Sequence, residues 1–304
     1  MTDPEASIVV PTKNAGPLFR EVLEGVYDQP GSFDVLVVDS GSTDETTDIV
    51  AEYPARLLEI PPESFHHGRT RNLGVEETTG DFVVFLTQDA TPMDGWLPSL
   101  LSALRSDADV AGAYSRQLPR PSATPMKRHF LASFYDDEPE TRSLAPGRRP
   151  TRDEVFFSNV SSVVRRSVWR DHPFPENSIM SEDQHWARTV LEAGYKLRYE
   201  PGSRVRHSHR EGIRDIFKRY FDTGASLDPT TLASRDTSLF ADMLRYQFDE
   251  FRYLIANGYA AWLPYAVAYS GAKFLGLQLG ERYERLPTPV VRRLSDTLSR
   301  KYDE

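Results

Sequence analysis

Short apolar runs alternate with stretches of helical periodicity through the first half of the chain, and this alternation constrains the fold more than any other feature. Each run is four or five residues long, and the first has the composition of a buried strand. The runs lie at residues 7–10, 35–38, 57–60 and 82–86. Between them, the apolar spacing predicts helices over residues 18–27 and from Ser42 to about residue 52, with Ser42 and Glu45 spaced as a capping box. We therefore predict βα units around a mostly parallel sheet.

The second half of the chain is predicted to add strands and then to become helical. Strand-like segments lie at residues 108–116, 155–164, 196–200 and 204–207. Ser181 is a suitable N-cap for a helix that ends at Gly194, and from residue 213 onward the pattern is mainly helical. Residues 119–153 are rich in Pro, Arg, Asp and Glu and lack clear periodicity. They predict a long, mobile excursion of the kind that serves as a lid or a partner surface.

The composition excludes several classes of protein. A chain of 304 residues can bury a core, and its net charge of −9 argues against a broad nucleic-acid-binding face, which needs a basic surface. The absence of cysteine excludes disulfides, thiolate metal sites and a cysteine nucleophile. The N-terminus lacks the pattern of a signal peptide, so we expect a cytoplasmic protein. The excess of arginine over lysine fits a GC-rich genome or a salt-adapted organism, and the sequence does not choose between them.

Two aspartates follow predicted strands at what should be one edge of the sheet. Asp39 comes directly after the second apolar run, and Asp89 follows the fourth. Ligands of open α/β sheets bind outside the carboxyl ends of the strands, so polar groups converge there. Asp39 could accept hydrogen bonds from a nucleotide, and Asp89 is a natural ligand for a hard cation. Each could equally be a helix cap or a turn residue.

Three further ionisable side chains are open to two interpretations each. His207 and His209 alternate on an extended segment, which places both on one face, and they are either ligands or structural histidines. Asp183 lies in the first turn of a predicted helix, where the helix dipole favours its anion. It is either a general base for an incoming hydroxyl or, like its neighbour Glu182, a complement to that dipole.

Six motifs in order along the chain resemble those of family 2 glycosyltransferases of the GT-A fold, and most of all their rhamnosyltransferase-like members. They are SIVVPTKN at 7–14, VVDSGSTD at 37–44, FHHGRTRN at 65–72, LTQDATP at 86–92, SEDQHW at 181–186 and EAGY at 192–195. Residues 273–287 also resemble the end of such enzymes. The resemblance implies a GT-A (Rossmann-like) α/β catalytic domain, a mostly parallel sheet flanked by helices, over residues 1–222. A helical C-terminal extension would occupy residues 223–304.

The resemblance also implies roles for individual residues. The site of a nucleotide-diphosphate sugar would be lined by Pro11, Thr12, Asn14, Asp39, Ser42, Arg71, Gln88 and Asp89. In this set Asp39 would contact the nucleobase, and Arg71 the ribose or the diphosphate. Asp89 would hold Mg²⁺ or Mn²⁺, with His207 able to complete the metal site, and Asp183 would be the catalytic base.

The reaction that the resemblance implies is an inverting transfer of a sugar to a hydroxyl of a glycan or lipid-linked acceptor. Such transfers build cell-surface polysaccharides or glycoprotein glycans, and rhamnose from a dTDP donor is the leading candidate. Two alternatives remain: a catalytically inactive sugar- or lipid-binding scaffold, and a nucleotide-sugar nucleotidyltransferase. Against the second, the first strand leads into Pro-Thr-Lys-Asn rather than a glycine-rich phosphate loop.

The metal motif departs from that of many family members, which place two or three acidic residues there. In this chain Thr87 and Gln88 precede Asp89. A single carboxylate holds a hard cation weakly, so diphosphate oxygens, waters and a histidine must complete the shell. We therefore predict a low metal affinity in the absence of the donor.

Residues 262–279 form the most apolar segment of the C-terminal part. Pro264, Lys273 and Gln278 make it a poor bilayer span, which disfavours a processive, membrane-embedded synthase. The residues that recur at helical spacing, as in a core helix or a membrane-surface amphipathic helix, are Leu263, Val267, Ser270, Phe274 and Leu277. The helix is expected either to pack on the catalytic domain or on a second subunit, or to lie on the inner membrane surface as a peripheral contact.

Overall fold

The structure, a computed structural model, describes residues 3–151, 153–178, 180–209, 212–226 and 239–298. The strands in these ranges are β1 (Ala6–Thr12), β2 (Phe33–Asp39), β3 (Arg56–Glu59), β4 (Phe82–Leu86), β5 (Thr91–Pro92), β6 (Val110–Leu118), β7 (Glu140–Arg142), β8 (Ser161–Arg165) and β9 (Lys196–Arg206). The first seven helices are α1 (Leu18–Tyr27), α2 (Thr46–Ala51), α3 (His67–Glu76), α4 (Trp96–Arg105), α5 (Pro125–Phe134), α6 (Arg166–Asp171) and α7 (Glu182–Glu192). They are followed by α8 (Ile213–Ser226), α9 (Leu239–Ala256), α10 (Leu263–Gly280) and α11 (Thr288–Leu294).

The chain divides into two compact units. The sheet unit comprises Met1–Arg120, Tyr135–Glu176 and Glu182–His207, and it carries all the strands given above. The helical unit comprises Pro121–Phe134, Asn177–Ser181 and Ser208–Glu304, and it carries α5 and α8 to α11. The prediction of an α/β protein with a helical C-terminal part is therefore confirmed.

The sheet has the strand order β3-β2-β1-β4-β8-β6-β9-β5, with β7 paired to β9. Strands β1 to β4 are parallel to one another, as the alternation of apolar runs and helices predicts. Beyond β4 the sheet is mixed, because β8 is antiparallel to both β4 and β6, whereas β6 and β9 are parallel. The carboxyl ends of β1, β2 and β4 therefore share one edge of the sheet, and residues at that edge form the site described below.

Three predictions of secondary structure are wrong in detail. The two strands predicted over 196–200 and 204–207 are one strand, β9, which ends at Arg206 and whose register with β6 shifts between Ser115 and Arg116. The strand predicted over 155–164 is confined to β8, since residues 155–160 form turns and irregular backbone. The excursion over 119–153 contains helix α5 and strand β7, which pairs with β9. Its hydrogen bonds to the sheet are long-range, and local periodicity does not reveal them.

Most of the residues on the packed face of α10 are small. Val267, one of the apolar residues at helical spacing, is 56% exposed, whereas the buried residues are Ala266, Tyr269, Ala272, Gly276 and Gly280. Small residues are required there because α8 lies very close to α10. A Cβ on Gly276 would be 2.5 Å from the carbonyl oxygen of Phe217 in α8. The apolar spacing of the sequence does not reveal this close contact between the two backbones. None of the described helices is long and apolar enough to cross a membrane.

Candidate functional site

The carboxyl ends of β1 and β2 carry a buried polar network around Asp39. Thr12 lies beside Asp39 in the parallel register, and the hydroxyls of Thr12 and Ser42 donate to Asp39 Oδ1. The backbone N–H groups of Gly41 and Ser42 donate to Asp39 Oδ2, at 2.9 and 2.8 Å. Four bonds use the full acceptor capacity of a carboxylate, so Asp39 is fixed at the sheet edge.

The loop after β1 is tied to the loop after β2. Asn14, whose φ of 47° lies in the left-handed region, donates its backbone N–H to Ser42 Oγ at 2.8 Å. Its side-chain Oδ1 accepts from the N–H of Thr43, also at 2.8 Å. Pro11 directly precedes Thr12 on β1. The structure thus brings the predicted nucleotide-site residues of the first two strands into one cluster.

Ser42 does not cap the helix that follows it. Helix α2 begins at Thr46, and Glu45 directly before it makes no side-chain capping bond. Instead, Asp44 Oδ1 accepts from the backbone N–H of Thr46. The capping-box prediction is wrong because α2 begins only at Thr46, and because Ser42 Oγ accepts from the backbone N–H of Asn14 and donates to Asp39.

Gln88 joins the loop after β4 to the loop after β1. Its side-chain Oε1 accepts from the backbone N–H of Lys13 at 2.7 Å, and its Nε2 donates to the Lys13 carbonyl at 3.1 Å. Both ends of the amide are therefore occupied by one residue. Gln88 lies at the predicted site, and there it holds the two loops together.

Asp89 lies in the turn between β4 and β5, with its side chain 23% exposed. Arg120 fixes this turn by donating to the carbonyl oxygen of Asp89 at 2.9 Å and to the hydroxyl of Thr91 at 2.6 Å. The same guanidinium pairs with Glu21 at 3.2 Å. Arg120 was not predicted, although it lies two residues after the end of β6, at a position typical of functional side chains.

His207 directly follows β9 and is 7% exposed. The side-chain nitrogen of Gln117 donates to Tyr135 at 2.6 Å and to Ser158 at 3.0 Å, so the Gln117 oxygen is an acceptor. That oxygen lies 2.9 Å from His207 Nδ1, which therefore carries the proton. In neutral His207 the Nε2 lone pair then faces Asp89 Oδ2, 3.4 Å away.

The Asp89–His207 pair fits a divalent cation. A carboxylate oxygen and an imidazole lone pair repel each other at 3.4 Å, and either a second ring proton or a metal ion between them removes that repulsion. Mn²⁺ and Mg²⁺ accept carboxylate ligands, and imidazole is a ligand for several divalent metals. Histidine ligands of metals characteristically donate their second ring N–H to an oxygen, as His207 does to Gln117.

A second cluster surrounds the start of α7. Arg71 of α3 is buried, and its Nη1 lies 2.8 Å from Glu182 Oε1. Asp183 accepts hydrogen bonds from the backbone N–H of Asn159 at 3.1 Å and of Gln184 at 2.9 Å. The side chain of Asn159 donates to Glu182 at 3.3 Å. Arg71 thus lies beside the Glu182–Asp183 pair, a partner that the sequence analysis did not predict for it.

The two carboxyl groups of this pair have opposite protonation behaviour. Burial opposes ionisation of Glu182, but the adjacent Arg71 guanidinium holds the pKa of Glu182 below its usual value. Burial and, secondly, the charge of Glu182 raise the pKa of Asp183 to about 7. The helix dipole predicted a stabilised anion at Asp183, and the structure gives the opposite direction because desolvation dominates.

The two clusters are joined through adjacent residues of one loop. Ser158 accepts from Gln117, the partner of His207, and Asn159 donates to Asp183. A continuous set of contacts therefore runs from Asp89 to the Asp183 carboxyl group. Gln117 is not among the predicted site residues because the strand predicted over 108–116 ends just before it, whereas β6 continues to Leu118 and delivers Gln117 to the site.

Comparison with known sequences gives consistent relatives. The family model described as "Glycosyl transferase family 2" matches residues 7–172. The chain is 35% identical over 294 residues to the O-antigen chain rhamnosyltransferase RfbN of Salmonella typhimurium, covering 95% of this chain and 93% of that protein. It is 34% identical to the O-antigen chain rhamnosyltransferase WbaN of Salmonella anatum, with 96% and 94% covered.

Comparison with solved structures identifies the fold. The mannosyltransferase PcManGT from Pyrobaculum calidifontis, in complex with GDP-Man and Mn²⁺, matches with a TM-score of 0.57 and 20% identity, covering 97% of this chain and 85% of that one. Residues 1–349 of Staphylococcus aureus TarS, in complex with UDP-GlcNAc, match with a TM-score of 0.53 and 16% identity, covering 92% and 91%. The fold is therefore of the GT-A type.

Proposed function

The chain belongs to glycosyl transferase family 2, and we propose that it is a rhamnosyltransferase. In this proposal it transfers rhamnose from a nucleotide-diphosphate donor to a hydroxyl of a glycan or lipid-linked acceptor. It is an inverting glycosyltransferase that fits a role in polysaccharide synthesis. The relatives RfbN and WbaN are O-antigen chain rhamnosyltransferases and match over nearly their whole length, which supports rhamnose over other sugars.

The observation that carries the proposal is the set of contacts linking the Asp89–His207 pair to Asp183 at the carboxyl edge of the sheet. A hard-cation site beside a carboxyl group with a raised pKa suits a reaction in which an anionic diphosphate leaves as a hydroxyl loses its proton. The pKa of Asp183, raised to about 7, makes it a better base than an ordinary aspartate.

In the proposed reaction, Asp183 accepts the proton of the acceptor hydroxyl as its oxygen attacks the anomeric carbon. The new glycosidic C–O bond forms on the face opposite the diphosphate, whose bond to the anomeric carbon breaks, so that the configuration inverts. The nucleotide diphosphate leaves with the bonding electron pair. The bond from Asn159 and the fixed charge on Glu182 hold the Asp183 carboxyl group in place for the proton.

Asp89 and His207 are the residues that we propose hold Mg²⁺ or Mn²⁺, and His209, which alternates with His207 in the sequence, is a candidate third ligand. When bound, the cation would neutralise charge on the diphosphate. Gln117 keeps the Nε2 lone pair of His207 directed at the site, and Arg120 holds the turn that carries Asp89.

Pro11, Thr12, Asn14, Ser42 and Asp39 are proposed to form the nucleotide pocket. Since all acceptor positions of Asp39 are used, its contact with the nucleobase requires it to exchange the bond from the Ser42 hydroxyl. Gln88 shapes the pocket by holding two loops together. For Arg71 we propose two roles, contact with the donor's ribose or diphosphate and neutralisation of Glu182.

The helical unit is proposed to serve the acceptor side of the reaction. We place the enzyme in the cytoplasm, at the inner face of the membrane, because several large apolar side chains of this unit are exposed. Family membership favours the transferase over the two alternatives, an inactive scaffold and a nucleotidyltransferase. A homo-oligomer formed through the same apolar side chains is the competing explanation for their exposure.

A thermal-shift screen of dTDP, UDP, GDP and ADP, each with and without Mn²⁺, tests the donor assignment. A ligand at a hundred times its dissociation constant stabilises a fold by about 2.7 kcal/mol. We expect the largest shift for dTDP with Mn²⁺, and loss of the Mn²⁺ increment in Asp89→Ala. Transfer of rhamnose from dTDP-rhamnose to an acceptor hydroxyl is then measured by release of dTDP. Absence of a shift for every nucleotide contradicts the proposal.

A further inference from the structure

A cavity of about 320 Å³ lies in the helical unit, between α8 and α11. It is lined by Arg214, Phe217, Lys218, Arg293 and Leu294. These residues take no part in the reaction described above. Three of the five lining side chains are cationic, although the whole chain has a net charge of −9. The local charge is therefore opposite in sign to that of the protein, which favours an anionic ligand.

The positive charge of the cavity is only partly neutralised. Lys218 forms an ion pair with Asp296. Among the residues that the structure describes, neither Arg214 nor Arg293 has an ion-pair partner. Arg214 and Lys218 are four residues apart on one helix, an arrangement in which like charges repel. An anion bound between the helices would relieve that repulsion and engage both unpaired guanidinium groups.

The walls of the cavity are fixed by a buried carboxylate. Asp222 of α8 is 2% exposed and accepts hydrogen bonds from the backbone N–H groups of Asp296 and Thr297, both at 3.1 Å. The hydroxyl of Ser295, just after α11, also donates to Asp222. These bonds hold the segment after α11 against α8, so the cavity does not depend on exposed side chains alone. The backbone segments that carry the cationic side chains of the cavity are therefore held in fixed positions.

The apolar surroundings indicate which kind of anion the cavity would take. Phe217 and Leu294 line it, and on the same two helices Ile213 and Val290 are 38% and 40% exposed. A small inorganic ion gains no stabilisation from an apolar surface, whereas an amphiphile buries its hydrocarbon chain against such a surface. The guanidinium group matches the geometry of a phosphate, with which it forms two parallel hydrogen bonds.

We propose that the cavity between α8 and α11 binds the phosphate group of an anionic phospholipid headgroup, with Arg214 and Arg293 as its ligands. Ile213 and Val290 then contact the acyl region beside the headgroup. This site goes beyond the sugar transfer and does not rest on it. It would hold the helical unit on an anionic bilayer by a defined pocket rather than by diffuse charge attraction.

Co-sedimentation of the full chain with vesicles tests the site. We expect binding to phosphatidylcholine vesicles that contain phosphatidylglycerol and at least about tenfold weaker binding to pure phosphatidylcholine, since each basic residue near an anionic surface contributes appreciably. The double variant Arg214→Gln/Arg293→Gln should lose that preference. The matched control is Arg56→Gln/Arg170→Gln, which removes two exposed arginines from the sheet unit and should leave vesicle binding within twofold of the original chain.

Three outcomes overturn the assignment. Equal binding to both vesicle types shows that no anionic headgroup is recognised, and equal losses in the two double variants show diffuse charge attraction. Titration with inorganic phosphate, followed by calorimetry, is the third arm: saturation by phosphate without preference for phosphatidylglycerol vesicles assigns the cavity to the free anion. The dTDP–Mn²⁺ thermal shift is measured on every variant. It should be unchanged, so failure of the lipid site and failure of the donor site are distinguishable.

Discussion

The sheet unit and the helical unit differ in the exposure of their large apolar side chains, although both bury charged groups, such as Asp222 in the helical unit. In the sheet unit, charged groups such as Arg71, Asp39 and Glu182 are buried within hydrogen-bonded networks. In the helical unit, several large apolar side chains are exposed to solvent. Among the described residues, the strongly exposed large hydrophobic side chains are Phe134, Ile213, Leu244, Phe248, Ile255, Trp262, Val267, Leu275 and Val290. All nine belong to the helical unit.

This difference is consistent with the roles proposed for the two units. Buried polar networks are costly unless every member is satisfied, and in the sheet unit they hold reactive groups in fixed positions. Exposed apolar surface is costly in water, and in the helical unit it is retained on several helices. We infer that the sheet unit carries the chemistry and that the helical unit makes its remaining contacts outside the chain.

Replacing the proposed base should have the largest effect. Asp183→Asn keeps the acceptor of the Asn159 bond but cannot take a proton, so the transfer rate should fall by about 10²- to 10⁴-fold. The dTDP–Mn²⁺ thermal shift should be retained. Asp94→Asn, at an exposed position of the sheet unit, is the matched control and should keep full activity. Normal transfer by Asp183→Asn would exclude Asp183 as the base.

The raised pKa of Asp183 predicts a pH profile with a definite sign. Below a pKa of about 7 the carboxyl group is protonated and cannot accept a proton, so kcat/KM should rise about tenfold per pH unit and level off above pH 7. An aspartate with an ordinary pKa would give a flat profile from pH 5 upward. Arg71→Met should change this profile, because it removes the charge that keeps Glu182 ionised. Rates measured from pH 5 to 9 decide between the two profiles.

The buried network around His207 should control metal affinity. Gln117→Met removes the acceptor that fixes the ring, and loss of such an outer partner typically costs 10- to 100-fold in metal affinity. The measurement is the Mn²⁺ concentration that gives half of the dTDP-dependent thermal shift. Gln184→Met on α7 is the control and should leave that concentration unchanged. An unchanged Mn²⁺ dependence in Gln117→Met would separate His207 from the metal site.

In the helical unit the close contact between α8 and α10 should be sensitive to a single methyl group. Gly276→Ala places a Cβ 2.5 Å from the carbonyl oxygen of Phe217 and should lower the free energy of unfolding by about 1–3 kcal/mol. Gly271→Ala on the same helix has no atom within 4 Å of the new Cβ. It should instead stabilise the protein by up to about 1 kcal/mol, since alanine favours helix. Urea unfolding of both variants measures the difference.

The exposed apolar residues of α10 should contribute least to stability. Val267→Ser/Leu275→Ser should change the free energy of unfolding by no more than about 0.5 kcal/mol per site, because both side chains are more than half exposed. If they contact a partner or a bilayer, the same variant weakens that contact. A large loss of stability would show that these side chains are already packed in the isolated protein, and the comparison between the units would fail.

The sequence was most informative about the sheet and its carboxyl edge. Helix α1 has the predicted bounds, and β1, β2 and β4 lie on the predicted runs, because strands buried on both faces have a strong apolar signal. The placement of Asp39 and Asp89 at that edge could be predicted, because both residues follow parallel strands whose carboxyl ends meet there. The position of Gln117 could not be predicted, because β6 ends two residues later than the predicted strand and Gln117 lies in that extension.

The features that the sequence did not reveal depend on contacts between distant segments. Arg71 and Glu182 are more than a hundred residues apart, and only the fold brings their charges together. The fold also buries Asp183, and this burial, followed by the charge of Glu182, raises the pKa of Asp183. Likewise, the apolar spacing of α10 does not reveal that Ala266 is buried, that Val267 is exposed, or that α8 approaches Gly276 closely. Local patterns predict elements, whereas charge states and close helix contacts are properties of the assembled chain.

The two hydrogen bonds between Gln88 and the backbone of Lys13 have a consequence for the order of binding. The amide of Gln88 behaves as one more peptide group, and it extends the β1–β4 ladder past Val9 and Phe85, where backbone pairing ends. A carboxylate could accept from the Lys13 N–H but has no hydrogen to give to the carbonyl. Gln88 therefore links the two loops by hydrogen bonds and supplies no negative charge to a cation. With one anionic ligand fewer in the pocket, we expect metal and sugar nucleotide to enter together, as a preformed chelate.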